Sequence, residues 1–163
     1  MGEPVRYDGK DKRNEAVMSV LARHFDVIHI CPETGIGMGV PRSPIQLTEK
    51  QDGRIHACGV ENKSQDVTDE LVSYIDTVAD QLKNVSGYIF KARSPSCGVG
   101  STPVFSESGE QLKLDKGVFA QAITNAYPDL PVVEESEIED KKEREQFLKK
   151  VRAYHARRET HEA

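Results

Sequence analysis

Apolar and polar positions along the chain predict alternating helices and short strands. Residues 14–25 carry apolar side chains at 17, 18, 21 and 25, the spacing of a helix with one buried face. "DVIHI", 26–30, is short and β-branched and reads as a strand ending at Cys31-Pro32. "IQLTEK" and "RIHACGV", joined through "QDG", predict a β-hairpin whose Asp-Gly pair supplies the turn. Residues 66–85 form the clearest helix, with one stripe at 67, 71, 75, 78, 82 and 85 and Asp66 as its N-cap. "GYIFKA" predicts a second buried strand, "TPVFSESGEQL" a small hairpin, 117–126 a short helix, and "LPVVEE" a strand ended by acids. A last amphipathic helix over 140–158 places Phe147, Val151 and Tyr154 on one side.

That alternation implies an α/β fold with a layered sheet and flanking helices. One domain is expected, because 163 residues are enough to bury a single core. The opening is unusual, since such folds normally start with a central strand and this chain starts with a polar stretch and a helix.

Composition narrows the function classes. A net charge of −5 disfavours duplex nucleic acid, which needs a basic face. The local exception is 141–158, with eight Lys or Arg against Glu143 and Glu145, read as a solvated helix face. No apolar run approaches the roughly 20 residues of a membrane span. The N-terminus has no apolar signal region, so a cytoplasmic protein is expected.

The candidate chemistry lies in two loops. "CPETGIGMGVPRSP", 31–44, holds three Gly and three Pro and follows one predicted strand. "KARSPSCGVGS", 91–101, follows another. In open α/β sheets ligands bind beyond the carboxyl ends of the strands, so Cys31 and Cys97 are placed to face one crevice. Three cysteines do not suggest a disulfide framework; buried thiol, reactive thiol and metal ligand all stay open. Cys58, inside the first hairpin, reads as a small core residue.

"GEPVRYDG", "CPETGIGMGVPR" and "KARSPSCG", in this order, resemble the 2-thiouracil desulfurase family, formerly a family of unknown function. The resemblance runs from about Gly2 to Val133. It implies a Rossmann-like domain over 1–135, followed by an amphipathic helix and basic tail over 136–163. It also implies a [4Fe–4S] cluster with an open iron that takes the sulfur of a thiolated pyrimidine, releasing the oxo base without net redox chemistry. Carried over by position, Cys31 and Cys97 are cluster ligands and Glu33 is the acid/base. Ser94 joins Glu33 as a catalytic candidate, while Arg6, Asp8, Ser96 and Arg42 are candidates for binding the substrate. Turn chemistry alone also explains Arg6, Asp8 and the Ser-Pro-Ser run.

Similar proteins begin with a strand and a Ser-x-Cys-Leu motif that supplies a third ligand. Only the end of that motif matches Met1-Gly2, so the first strand and one cysteine ligand are expected to be missing here. Three readings follow. One is the iron–sulfur desulfurase, with a homodimer left open as its assembly. Another is a truncated, non-catalytic α/β module that binds a partner chain. The third is a zinc site on Cys31, Cys97 and His29 or Glu33.

Overall fold

The structure is a computed structural model that describes residues 6–8, 14, 15, 17–21 and 23–162. Strands β1 (Ile45–Glu49) and β2 (Ile55–Gly59) form the predicted hairpin, pairing Ile45 with Gly59 and Glu49 with Ile55. Gly53 turns it with φ of 77°, a left-handed geometry open to glycine. β4 (Val99–Ser106) lies parallel to β1, with Leu47 opposite Val104, and antiparallel to β5 (Gln111–Lys116). The sheet order is therefore β2-β1-β4-β5. β3 (Tyr88–Phe90) and β6 (Val132–Glu134) form a separate parallel pair.

Burial explains this order. Leu47 and Val104 at the sheet centre are fully buried, and they form one core with Ala57, Val67 and Leu71. β5 is an edge strand whose Leu112 and Leu114 face solvent on either side of Lys113, a charge that discourages further pairing.

Helix α1 is the single turn Pro32–Gly35, α2 spans Thr68–Leu82 and α3 spans Val118–Ala126. A second core joins α2 and α3 to β3 through Val78, Leu82, Phe90, Phe119 and Ile123. α1 packs against α2 where Gly35 meets Tyr74, so closely that a Cβ at Gly35 would collide with the tyrosine ring. α4 (Lys141–Glu162) lays Phe147 and Val151 on Val133 and Ile138, while its basic residues stay mostly exposed. The architecture is thus a single α/β domain, with a mixed four-stranded sheet flanked by helices.

Two predicted elements differ. Residues 14–25 were expected to be an α-helix, but Val17–Leu21 is one π-type turn, followed by turns at 23–24. Helical propensity is weak without a packed face, and here Val17 is buried whereas Met18 and Phe25 are only partly covered. Residues 26–30 were expected to be a strand, yet they pair with nothing among the described residues, and Val27 and Ile28 are 48% and 50% exposed. β-branched composition favours a ladder only where a neighbouring strand offers its backbone groups. The N-cap of α2 also shifts by one: Val67 holds that position, and Asp66 accepts the Thr68 N–H at 3.1 Å from just outside it.

Candidate functional site

Cys31 is the residue before α1, so Glu33 sits in that helix's first turn. Gly37 and Gly39 take left-handed backbone, with φ of 88° and 78°, and curl the chain back after α1. The curl returns Arg42 to Glu33: Nε meets Oε2 at 2.8 Å, while a second guanidinium nitrogen donates to the Gly39 carbonyl at 3.0 Å. The Arg42 N–H in turn donates to the Tyr7 carbonyl at 2.8 Å. Arg42 and Glu33 side chains are only 6% and 14% exposed, so the pair is largely desolvated.

The other carboxylate oxygen of Glu33 reaches the second cysteine loop. Ser96 Oγ, fully buried, donates to Glu33 Oε1 at 2.8 Å. Ser96 adjoins Cys97, so this bond ties the Cys31 loop to the Cys97 loop across 63 positions of sequence. The Ser94 hydroxyl accepts the Cys97 N–H at 3.1 Å and the Ser96 N–H at 3.3 Å. It is therefore a loop-shaping group.

Helix α3 is built onto the same loop. Its first N–H groups have no partner within the helix. They donate instead to loop carbonyls: Gly117 to Gly98 at 2.8 Å, Val118 to Pro95 at 3.0 Å and Ala120 to Ser96 at 3.0 Å. The loop replaces a side-chain cap and sits on the positive end of the helix. Gly117 permits this contact, because a Cβ there would stand 2.5 Å from the Ser96 carbonyl carbon and 2.7 Å from the Cys97 nitrogen.

The Cys97 thiol feels its surroundings. Burial pushes the Cys97 thiol well above its usual range, and the nearby Glu33 and Cys31 charges raise it further. Hydrogen bonding to Ser94 and the charge of Lys91 act in the opposite direction. Tyr74 and Tyr88 flank the pair. Burial raises both phenols, Cys31 adds to each, and Cys97 adds to Tyr88.

Two acids at the end of β6 hold the limbs of the Cys97 loop. Glu134 Oε1 accepts the Val99 N–H at 2.6 Å and the Ser101 hydroxyl at 2.7 Å. Glu135 pairs with Lys91 and accepts the Ala92 N–H. A cavity of about 240 Å³ opens beside this end of the loop, and its walls are already bonded in pairs, Lys91 with Glu135 and Asn14 with Glu139.

The predicted site residues thus divide into groups. Cys31, Glu33, Arg42, Ser94, Ser96 and Cys97 are brought together, with Arg42 committed to Glu33. Arg6 and Asp8 form their own ion pair at 3.1 Å and touch the site through the neighbouring Tyr7 carbonyl. The rest of "GEPVRYDG" lies outside the described residues. Cys58 is 2% exposed in β2, raised by burial and by Asp66, and belongs to a different neighbourhood of Asp66, Lys50 and Glu107. Among the described residues no group of three or more His, Cys, Asp or Glu side chains is arranged to hold a metal ion. Tyr74, Tyr88, Glu134 and Glu135 escaped the sequence reading. Only the adjacent acids closing "LPVVEE", an uncommon pair at the end of a buried strand, hinted at a role.

Fold and site together define an α/β protein with two cysteines and a clamped carboxylate between the same loops. The family model for 2-thiouracil desulfurase matches residues 1–135, and the chain belongs to that family. Among solved structures, the chain is similar to the [4Fe–4S]-dependent thiouracil desulfidase TudS, with 24% identity and a TM-score of 0.61 over 83% of this chain and 85% of that one. That likeness shows the shared fold. No curated protein matches the chain. Among the described residues no helix is long and apolar enough to cross a membrane.

Proposed function

We propose that the protein removes sulfur from a thiolated pyrimidine such as 2-thiouracil, using an iron–sulfur cluster held in part by Cys31 and Cys97. The observation that carries this reading is the Ser96–Glu33 hydrogen bond, which joins the two cysteine loops around one carboxylate. Thiolates are the usual ligands of such clusters, and two of them fit two corners. Among the described residues no third thiol joins them, since Cys58 keeps other neighbours. When bound, the cluster would supply an iron acting as a Lewis acid on the thiocarbonyl sulfur.

The chain's own residues account for the rest. Glu33 takes one proton of a water whose oxygen adds to the carbon bearing sulfur and passes it to that sulfur; the second water proton leaves the oxygen as C=O forms, so C=S and water become C=O and hydrogen sulfide. Carbon exchanges a bond to sulfur for one to oxygen, so no electrons are gained or lost. Ser96 Oγ and Arg42 Nε hold one carboxylate oxygen each, which orients the group before substrate arrives. Arg42 acts on Glu33 in this scheme, and substrate contact falls to Arg6, Asp8 and the loop backbone. Anaerobic reconstitution with iron and sulfide tests the reading. Wild-type protein should develop iron–sulfur absorption and release sulfide from 2-thiouracil, while Cys31→Ser and Cys97→Ser should lose both. Equal absorption in both serine variants and wild type would refute it.

One observation favours a second reading, a module that binds a partner chain. Residues 26–30 run without a ladder, and β3 pairs only with β6 among the described residues. A strand from another chain would satisfy those backbone groups. Sedimentation of the full chain tests this reading: a single monomeric species at all concentrations, alone and with cell extract, counts against it.

A further inference from the structure

We propose that Glu134 is a positioning residue, the anchor that holds the Cys97 loop in register with Glu33. Glu134 is 7% exposed, and among the described residues the groups bound to its carboxylate are neutral, the Val99 N–H and the Ser101 hydroxyl. Burying a carboxylate on neutral donors is a costly way to fill space. Its use lies in where those donors are.

Val99 and Ser101 flank the irregular start of β4, where the register with β5 shifts between Val99 and Thr102. Glu134 takes donors from that irregular stretch and bonds β6 to β4 at the place where the two sheets meet. The bonding continues backwards along the loop. Ser101 Oγ accepts the Arg93 N–H at 2.7 Å, and Arg93 has left-handed backbone, with φ of 61°. A non-glycine residue keeps that conformation where its surroundings impose it. Thr102 Oγ1 then donates to the Ser94 carbonyl at 2.8 Å. Glu135, next in sequence, holds Ala92 on the other limb. One pair of adjacent carboxylates therefore grips the loop on both sides of Cys97. The effect on catalysis rests on the desulfurase reading; the clamp itself does not.

The test compares Glu134→Ala and Glu134→Gln by amide hydrogen exchange in the full chain. The glutamine oxygen can accept both donors, whereas alanine leaves them unpaired. Glu134→Ala should speed exchange at Val99 and over 93–98 by roughly tenfold or more, with 68–82 unchanged, and Glu134→Gln should return it to within a few-fold of wild type. Iodoacetamide labelling of Cys97 should quicken in parallel, while that of Cys58 stays constant. Ser101→Ala, which removes the bond to Glu134 and the bond from Arg93, serves where the alanine variant is too unstable, and should speed exchange at Arg93. Unchanged exchange at Val99 and Arg93, or acceleration spread equally into 68–82, would overturn the proposal. On reconstituted, dithionite-reduced protein the electron paramagnetic resonance signal should broaden in Glu134→Ala and recover in Glu134→Gln. Faster local exchange in a chain whose wild type never forms the cluster upholds the clamp and sinks the desulfurase reading instead.

Discussion

Replacing Gly117 with alanine measures how tightly the Cys97 loop sits on α3. Gly117 has φ of −65° and ψ of 153°, a conformation alanine adopts freely, so backbone preference does not enter. The added Cβ is the whole perturbation. It would stand 2.5 Å from the Ser96 carbonyl carbon and 2.7 Å from the Cys97 nitrogen, both backbone atoms that cannot rotate away. Relief requires the loop to lift from α3, which stretches the bonds from Gly117 to Gly98 and from Ala120 to Ser96. Overpacking of this kind costs about 1–3 kcal/mol, partly offset by about 0.4–1 kcal/mol from a stiffer unfolded chain. A net loss of about 1–2 kcal/mol lowers Tm by roughly 2–8 °C for a domain of this size. Gly100→Ala is the control, because its Cβ would meet nothing within 4 Å. The assay is thermal unfolding followed by circular dichroism, with iron loading per chain measured after reconstitution. Gly117→Ala should melt below Gly100→Ala and load less iron. If the two variants melt together, the close approach of loop and helix is refuted.

Two other perturbations probe charge. Arg42→Met leaves the largely buried Glu33 carboxylate without its cation and should cost about 3–5 kcal/mol in urea unfolding. The double variant with Glu33→Gln should lose clearly less than the two single losses added together, and additivity would show the pair to be uncoupled. The second concerns Asp66. Burial alone would raise its carboxyl, but hydrogen bonds from Lys50, Thr68 and His56 overcome that and hold it well below the ordinary 3.8. Its folded pKa lies below its unfolded one, so the stabilisation is present above 3.8 and is lost as pH falls through the folded value. Wild type should therefore lose stability below pH 3.8 more steeply than Asp66→Asn. Parallel pH profiles would contradict this.

Much of the fold was legible because its elements are defined locally. The stripe from 67 to 82 became α2, and the Asp-Gly turn became the β1–β2 hairpin. Both rest on side-chain period and turn chemistry within one segment. The segment 26–30 departs from its strand pattern for the opposite reason. Its β-branched residues satisfy strand propensity, yet a strand exists only through a neighbour's N–H and C=O groups, and no described residue provides them. The π-type turn at Val17–Leu21 likewise answers to what packs on it.

The site divides in the same way. From the sequence came the two Gly- and Pro-rich loops, the cysteines within them and the acid beside one. Residue type and local composition suffice to mark places where backbone is exposed and thiols are framed. Tertiary structure alone decided which partner each group has. Arg42 faces Glu33 because two left-handed glycines turn the chain around, and Ser96 reaches Glu33 because α3 carries the loop on its N-terminus. Glu134 and Glu135 looked like the polar end of a strand, and became buried anchors when β6 was set beside β3 and against the start of β4. Such hydrogen bonds join residues far apart in the chain, and their geometry comes into being only when the cores beneath the two sheets close.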